Sequence, residues 1–213
     1  MKTEYSIINT LLLAALLMTS CDPIDPSQNI NGATCINTIL PYYPYAIDEN
    51  FVFVNEELDR TWEAAPHIIN GKYPEVVFDG KDDFDVNGNP GKSNGNWEAS
   101  VNVQMLELNP PAIWDWSQIS TIMTYSKWNK EMLIVWYFKI CLSEEEHFSA
   151  HNRIICASNE ALSYFSDTIL LTDMIQEHGA VPLPDGVYAR IVKNEGLTDF
   201  SVDGATVWRR VKQ

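Results

Sequence analysis

Alternation of apolar and polar positions dominates the chain after residue 50. Phe51 to Val54 is a short apolar run, Asn55 to Asp59 reads as a turn, and Arg60 to Ala64 alternates, so the three predict a β-hairpin. Val76 to Phe78 is a further short strand. From Trp97 to Leu108 apolar residues recur at Trp97, Ala99, Val101, Val103 and Met105, the period of two expected of a half-buried strand. Ile119 to Tyr125 is rich in β-formers. Met132 to Cys141 is nearly all apolar and predicts a central strand buried on both faces. Thr168 to Thr172, Val187 to Val192, Leu197 to Val202 and Thr206 to Val211 complete the set. Roughly nine to eleven strands without βα alternation predict an all-β fold, either a closed antiparallel barrel or a sandwich. Ser143 to Glu146 has the form of a capping box and Asn159 to Phe165 that of one more helical turn, so one or two short helices are expected.

Ahead of this body the pattern changes. Ile7 to Met18 is apolar but too short to span a bilayer, which needs roughly 20 residues. It has the form of a secretory signal, and Met18-Thr19-Ser20-Cys21 resembles the lipobox of bacterial lipoproteins. The expected organisation is a signal peptide over 1–20, a tether over 21–37 and one domain over 38–213, with Cys21 acylated and the bilayer as partner. The segment after Cys21 is polar and carries Pro23 and Pro26, as a tether should. Asp22 and Asp25 beside Cys21 resemble the export signal of surface lipoproteins in Bacteroidota, so the outer membrane and the cell surface are the expected location.

The formal net charge of -15 argues against nucleic acid and anionic headgroups, because phosphate binding needs a basic face. The charge is uneven: residues 48–107 hold thirteen acidic against four basic residues, while from Val187 onward five basic residues face three acidic ones. Hydrophobic residues make up 46% of the chain, enough to build a core. Besides Cys21 there are Cys35, Cys141 and Cys156. A hairpin in which Cys141 stands opposite Cys156 would allow a disulfide between them, the alternative being buried thiols that act as small hydrophobes.

Four clusters carry candidate chemistry. Asp83, Asp85, Asn87 and Asn89 alternate as in the first half of a calcium loop, with Gly88 at the sharp turn, but Asn94 stands where the bidentate Glu belongs. A solvated turn is the plain alternative. Glu144, His147 and His151 would share one face of a helix and could hold zinc, although the pattern lacks the general base of a zinc protease. Trp114 and Trp116 flank Asp115, an arrangement suited to stacking and hydrogen-bonding a glycan, or else to core packing. Finally, paired carboxylates occur in the acidic half, but no nucleophile motif, phosphate loop or CxxC is present.

Two longer stretches, PYYPYAIDENFVFVNEELDRTWEA and YARIVKNEGLTDFSVDGATVWRRV, resemble the opening and ending of lipoproteins of Bacteroidota of unknown function. The resemblance implies the envelope location and an all-β, calycin-like body, and assigns no catalytic residue. The expected function is a non-enzymatic binding or accessory module for a glycan, a small apolar ligand or a protein. The alternatives are a surface glycan hydrolase using paired carboxylates and a structural envelope protein with a solid core.

Overall fold

The computed structural model describes residues 32–68, 71–80, 96–108, 117–126, 131–142, 147–157, 160, 163–176 and 184–211. The first element is a helix, α1 (Gly32–Ile39), continued by a 3-10 turn over Leu40–Tyr42. Twelve strands follow: β1 (Phe51–Asn55), β2 (Arg60–Pro66), β3 (Glu75–Gly80), β4 (Asn96–Glu107), β5 (Ser117–Ser126), β6 (Glu131–Cys141), β7 (His147–Ala157), β8 (Thr168–Leu171), β9 (Met174–Gln176), β10 (Tyr188–Val192), β11 (Gly196–Ser201) and β12 (Trp208–Val211). Among the described residues no helix is long and apolar enough to cross a membrane.

The fold is a nearly closed antiparallel barrel, which decides between the two expected architectures. Its path runs β8-β10-β11-β12-β1-β2-β4-β5-β6-β7-β9, with β3 paired to β4. Neighbours in space follow one another in sequence except where the path skips one strand, at β2-β4, β7-β9 and β8-β10, and where β12 meets β1 and brings the two ends of the body together. β2 and β3 lie one after the other along β4: Ala64 to Pro66 pair with its C-terminal part and Glu75 to Gly80 with its N-terminal part. β8 and β9 share the same design. Only Thr172 and Asp173 separate them, yet β8 pairs with β10 and β9 pairs with β7. One broken strand therefore spans the seam of the barrel.

The alternation read from β4 holds: Ala99, Val101, Val103 and Met105 face the core. β6 departs from expectation. Met132, Ile134, Trp136, Phe138 and Ile140 are buried inside, but on the outer face only Val135 and Cys141 are buried while Leu133, Tyr137 and Lys139 are half-buried. In a barrel wall one face meets solvent, so this run is less enclosed than a strand between two layers. Strand β9 was not expected, and β7 was expected only at its end, in the hairpin that would pair Cys156 with Cys141. β7 hides because His147, His151 and Arg153 interrupt its apolar positions, and β9 has only three residues.

The core is filled from within by the chain's own N-terminal segment. Cys35 and Ile39 of α1 are fully buried, so the helix packs on the barrel although its first residues lie in the stretch expected to be a tether. Tyr42, Tyr43 and Tyr45 follow, all buried. Tyr43 stacks on Trp136 of β6 at 6.3 Å between ring centroids and hydrogen-bonds Thr121 of β5. Two residues on, the Tyr45 ring meets Phe51 of β1 edge-on at 4.6 Å, and its hydroxyl accepts the Leu197 amide of β11 at 2.8 Å. β5 and β6 stand half-way round the ring from β11, so residues 43–45 cross the barrel and tie opposite walls together. Below them Phe53, Trp62, Phe200 and Trp208 form a second aromatic cluster. The Arg60 guanidinium lies over the Trp208 ring.

The β6–β7 register overturns the Cys141–Cys156 disulfide. Cys141 stands opposite His147 and Cys156 opposite Met132, at the two ends of the ladder and about 30 Å apart at ~3.3 Å per residue. The hairpin turns immediately after Cys141, so β7 starts earlier than the apolar residues Ile154 and Ile155 suggest, and Cys156 is carried to its far end. No disulfide joins Cys35, Cys141 and Cys156. Burial pushes Cys35 up to about 11, against a weaker lowering by a backbone hydrogen bond. Cys156 is raised by burial and then by Glu160.

Between β11 and β12, Asp203 organises a tight turn. Burial acts to raise its carboxyl, but hydrogen bonds from the Thr206 hydroxyl and amide, the Ala205 amide and the Ser201 hydroxyl outweigh it and bring it from 3.8 to about 2. Gly204 (φ 75) and Gly186 (φ 86) meet backbone to backbone, leaving no room for a Cβ on either.

Three outcomes follow from this packing. Gly196 has φ 78 and a Cβ there would strike the Tyr45 ring, so Gly196→Ala is expected to lower unfolding free energy by about 1–3 kcal/mol in urea titration. A depressed carboxyl stabilises the fold above its unfolded value and loses that contribution as pH falls through the folded one. Acid unfolding of the wild type should therefore fall more steeply between about pH 4 and pH 2 than that of Asp203→Asn, which keeps the turn but not the charge. Lastly, denaturation without reductant should expose Cys35, Cys141 and Cys156 together to iodoacetamide, and a mass two labels short would show a bridge.

Candidate functional site

The described surface has two sizeable depressions. One, of about 480 Å3, lies at the end of the barrel where β1 and β11 begin and β12 ends, between Pro44, Glu49, Asn50, Asn194, Thr198 and Arg210. Three local structures shape it. The turn before β1 is closed by the Glu49 amide donating to the Ala46 carbonyl at 3.0 Å, and the Glu49 carboxylate accepts the Ala46 amide in return at 3.1 Å. The β10–β11 turn holds Asn194 at φ 63, a left-handed conformation that Asn tolerates, and the Asn194 amide donates to the Pro41 carbonyl at 2.7 Å. The third is β12, where Arg210 pairs in register with Phe53 and so shares the inward face with Trp208.

Arg210 is the centre of this cleft. Its guanidinium lies 4.7 Å from the Phe51 ring centroid and 5.5 Å from that of Tyr45. Its Nη1 donates to the Glu195 carbonyl at 2.6 Å, and its Nη2 pairs with Glu49 Oε1. The Arg210 side chain is 16% exposed and that of Glu49 31%. Burial first, then Glu49, push the Tyr45 phenol up, while the Leu197 amide and Arg210 pull it down; it settles at about 12 and stays protonated. Tyr45 is therefore no nucleophile or base near neutrality. The cleft presents a cation with aromatic faces around it and polar amides at its rim, a set suited to binding.

The other depression, of about 570 Å3, runs along the seam between Thr172, Asp173 and Met174 on one bank and Asp185, Tyr188 and Arg190 on the other. Two of its lining residues, Tyr188 and Arg190, are tied to Asp199. Asp199 of β11 is buried and accepts hydrogen bonds from the Tyr188 hydroxyl at 2.8 Å, the Thr198 hydroxyl at 2.9 Å and Arg190 at 3.2 Å. Burial, then the Asp199 carboxylate, raise the Tyr188 phenol. The network welds β10 to β11.

The residues singled out from sequence fare unequally. Cys21, Asp83, Asp85, Asn87, Asn89, Trp114, Trp116 and Glu144 lie outside the described residues. His147 and His151 are in strand β7, which removes the helical face on which the zinc reading depended. Among the described residues no group of three or more His, Cys, Asp or Glu is placed to hold a metal. Sequence reasoning missed Glu49 and Arg210. The available signal was the alternation of β12 itself: with Trp208 inside, one of the two adjacent arginines must face inward, and that is Arg210.

No protein-family model, curated protein or solved structure matches this chain.

Proposed function

We propose that this is a lipid-anchored protein of a bacterial cell envelope, exposed at the surface, which acts as a non-enzymatic binding module through the outside and the rim of its barrel. The observation that carries the binding reading is the occupied interior. Tyr42, Tyr43 and Tyr45 fill the space in which a calycin-type barrel would hold a small apolar ligand, so recognition falls to the cleft around Arg210. The anchor rests on Met18-Thr19-Ser20-Cys21 with its acidic neighbours and on the likeness to lipoproteins of Bacteroidota. The filled interior also favours a second reading, a purely structural barrel.

Metabolic labelling with palmitate is expected to mark the wild type and not Cys21→Ser, which should leave the membrane fraction. Protease added to intact cells should remove the domain while a periplasmic control survives. A glycan and protein panel on those cells separates the two readings: saturable capture supports a binding module, and none supports the structural barrel.

A further inference from the structure

Within that binding reading, on which this step rests, the geometry points to a carboxylate-bearing ligand, of the kind an acidic sugar offers, held at Arg210 in the place that Glu49 now occupies. Four observations converge on it. Arg210 is a cation brought to the end of a barrel in a chain of net charge -15, and it is mostly enclosed. Phe51 and Tyr45 sit against the guanidinium, an arrangement that favours the cation and excludes water around it. Only Glu49 Oε1 reaches Arg210; the other carboxylate oxygen is turned to the Ala46 amide, so the ion pair is not the two-pronged fork that arginine forms best. And Glu49 is part of a short turn outside the sheet, with a third of its side chain in water.

Exchange is feasible because the two partners differ in exposure. Glu49, a third in water, is compensated by water when it leaves, and the enclosed Arg210 is compensated by the incoming carboxylate that takes its place. Arg210 does not have to move, since its Nη1 remains tied to the Glu195 carbonyl. Asn50 and Asn194 line the rim, where the hydroxyls of a sugar ring would lie. Glu49 is thus both a stand-in for the ligand and its competitor.

The test is titration of the full-length chain in detergent micelles with D-glucuronate, with D-glucose as the neutral control, read by calorimetry and by NMR shifts of the Asn194, Glu195 and Thr198 amides. Glucuronate should bind and shift these amides, with glucose at least about tenfold weaker. Glu49→Gln removes the competing charge and should tighten glucuronate binding roughly two- to fivefold, the range set by the strength of such a pair. Arg210→Gln should abolish it. Should that variant not fold, the sign of the Glu49→Gln effect still decides. Equal binding of the two sugars, no binding of glucuronate, or a Glu49→Gln variant that binds it no better would overturn the inference. Saturable capture of some other glycan or protein on the panel, with these amides unmoved, would overturn it too while leaving the binding module intact.

Discussion

Everything in this barrel depends on a brace of two tyrosines. Tyr43 reaches Thr121 and Trp136 on one wall; Tyr45 reaches Leu197 and Phe51 on the other. A ring of short strands encloses a space that side chains projecting from the wall do not fill by themselves once the ring is this wide. Here the chain folds one of its own segments inside, and bulky aromatic rings take up the volume at interior density. Their hydroxyls would be a liability in such surroundings, since an unpaired buried polar group destabilises by about 1–3 kcal/mol. Each is used instead as a tie: Tyr42 donates to the Ser166 carbonyl at 2.6 Å, Tyr45 accepts from Leu197, and Tyr43 hydrogen-bonds Thr121. Gly196 is there because the backbone must come this close to Tyr45.

The same brace determines where chemistry is available. With the lumen taken, polar side chains gather at the end of the barrel and along its seam. At the seam, the carboxylate of Asp199 has three donors and is fully employed in joining strands. At the end, the guanidinium of Arg210 leans on rings belonging to the brace and to β1, and a third of its carboxylate partner is in water. A buried carboxylate held by three donors acts as a structural joint, whereas a partly wetted one outside the sheet can exchange partners.

Much of the wall was legible because period-two alternation is a local signal. β2 and β4 lie where apolar and polar residues take turns, β1 and β5 where short runs of β-formers stand, and the β1–β2 hairpin closes at the predicted Asn55 to Asp59, with the Asn55 side chain accepting the Leu58 amide. Three features were not legible, each for its own reason. β7 carries histidines and an arginine at outward positions, which imitate a helical face when the partner strand is unknown. The Cys141–Cys156 pairing failed because register depends on where the turn falls, and a strand slid along its neighbour keeps the same pattern. α1 begins in residues that resemble a linker, and only their burial against the barrel gives them a reason to be helical. The cleft was hidden for a related reason: Glu49 and Arg210 are 161 residues apart, and closure of the ring brings them together.

That closure bears on how the molecule comes into being. The first strand of the body finds its partner in the last, and the brace that packs the interior precedes both. Contacts so distant along the chain are slow to form, because a long loop must be closed before any of them is rewarded. No N-terminal portion can complete its hydrogen bonding while the C-terminal strand is still being made. Synthesis of the chain and closure of the ring are thereby separated in time: β1 waits for its second partner until β12 has been made.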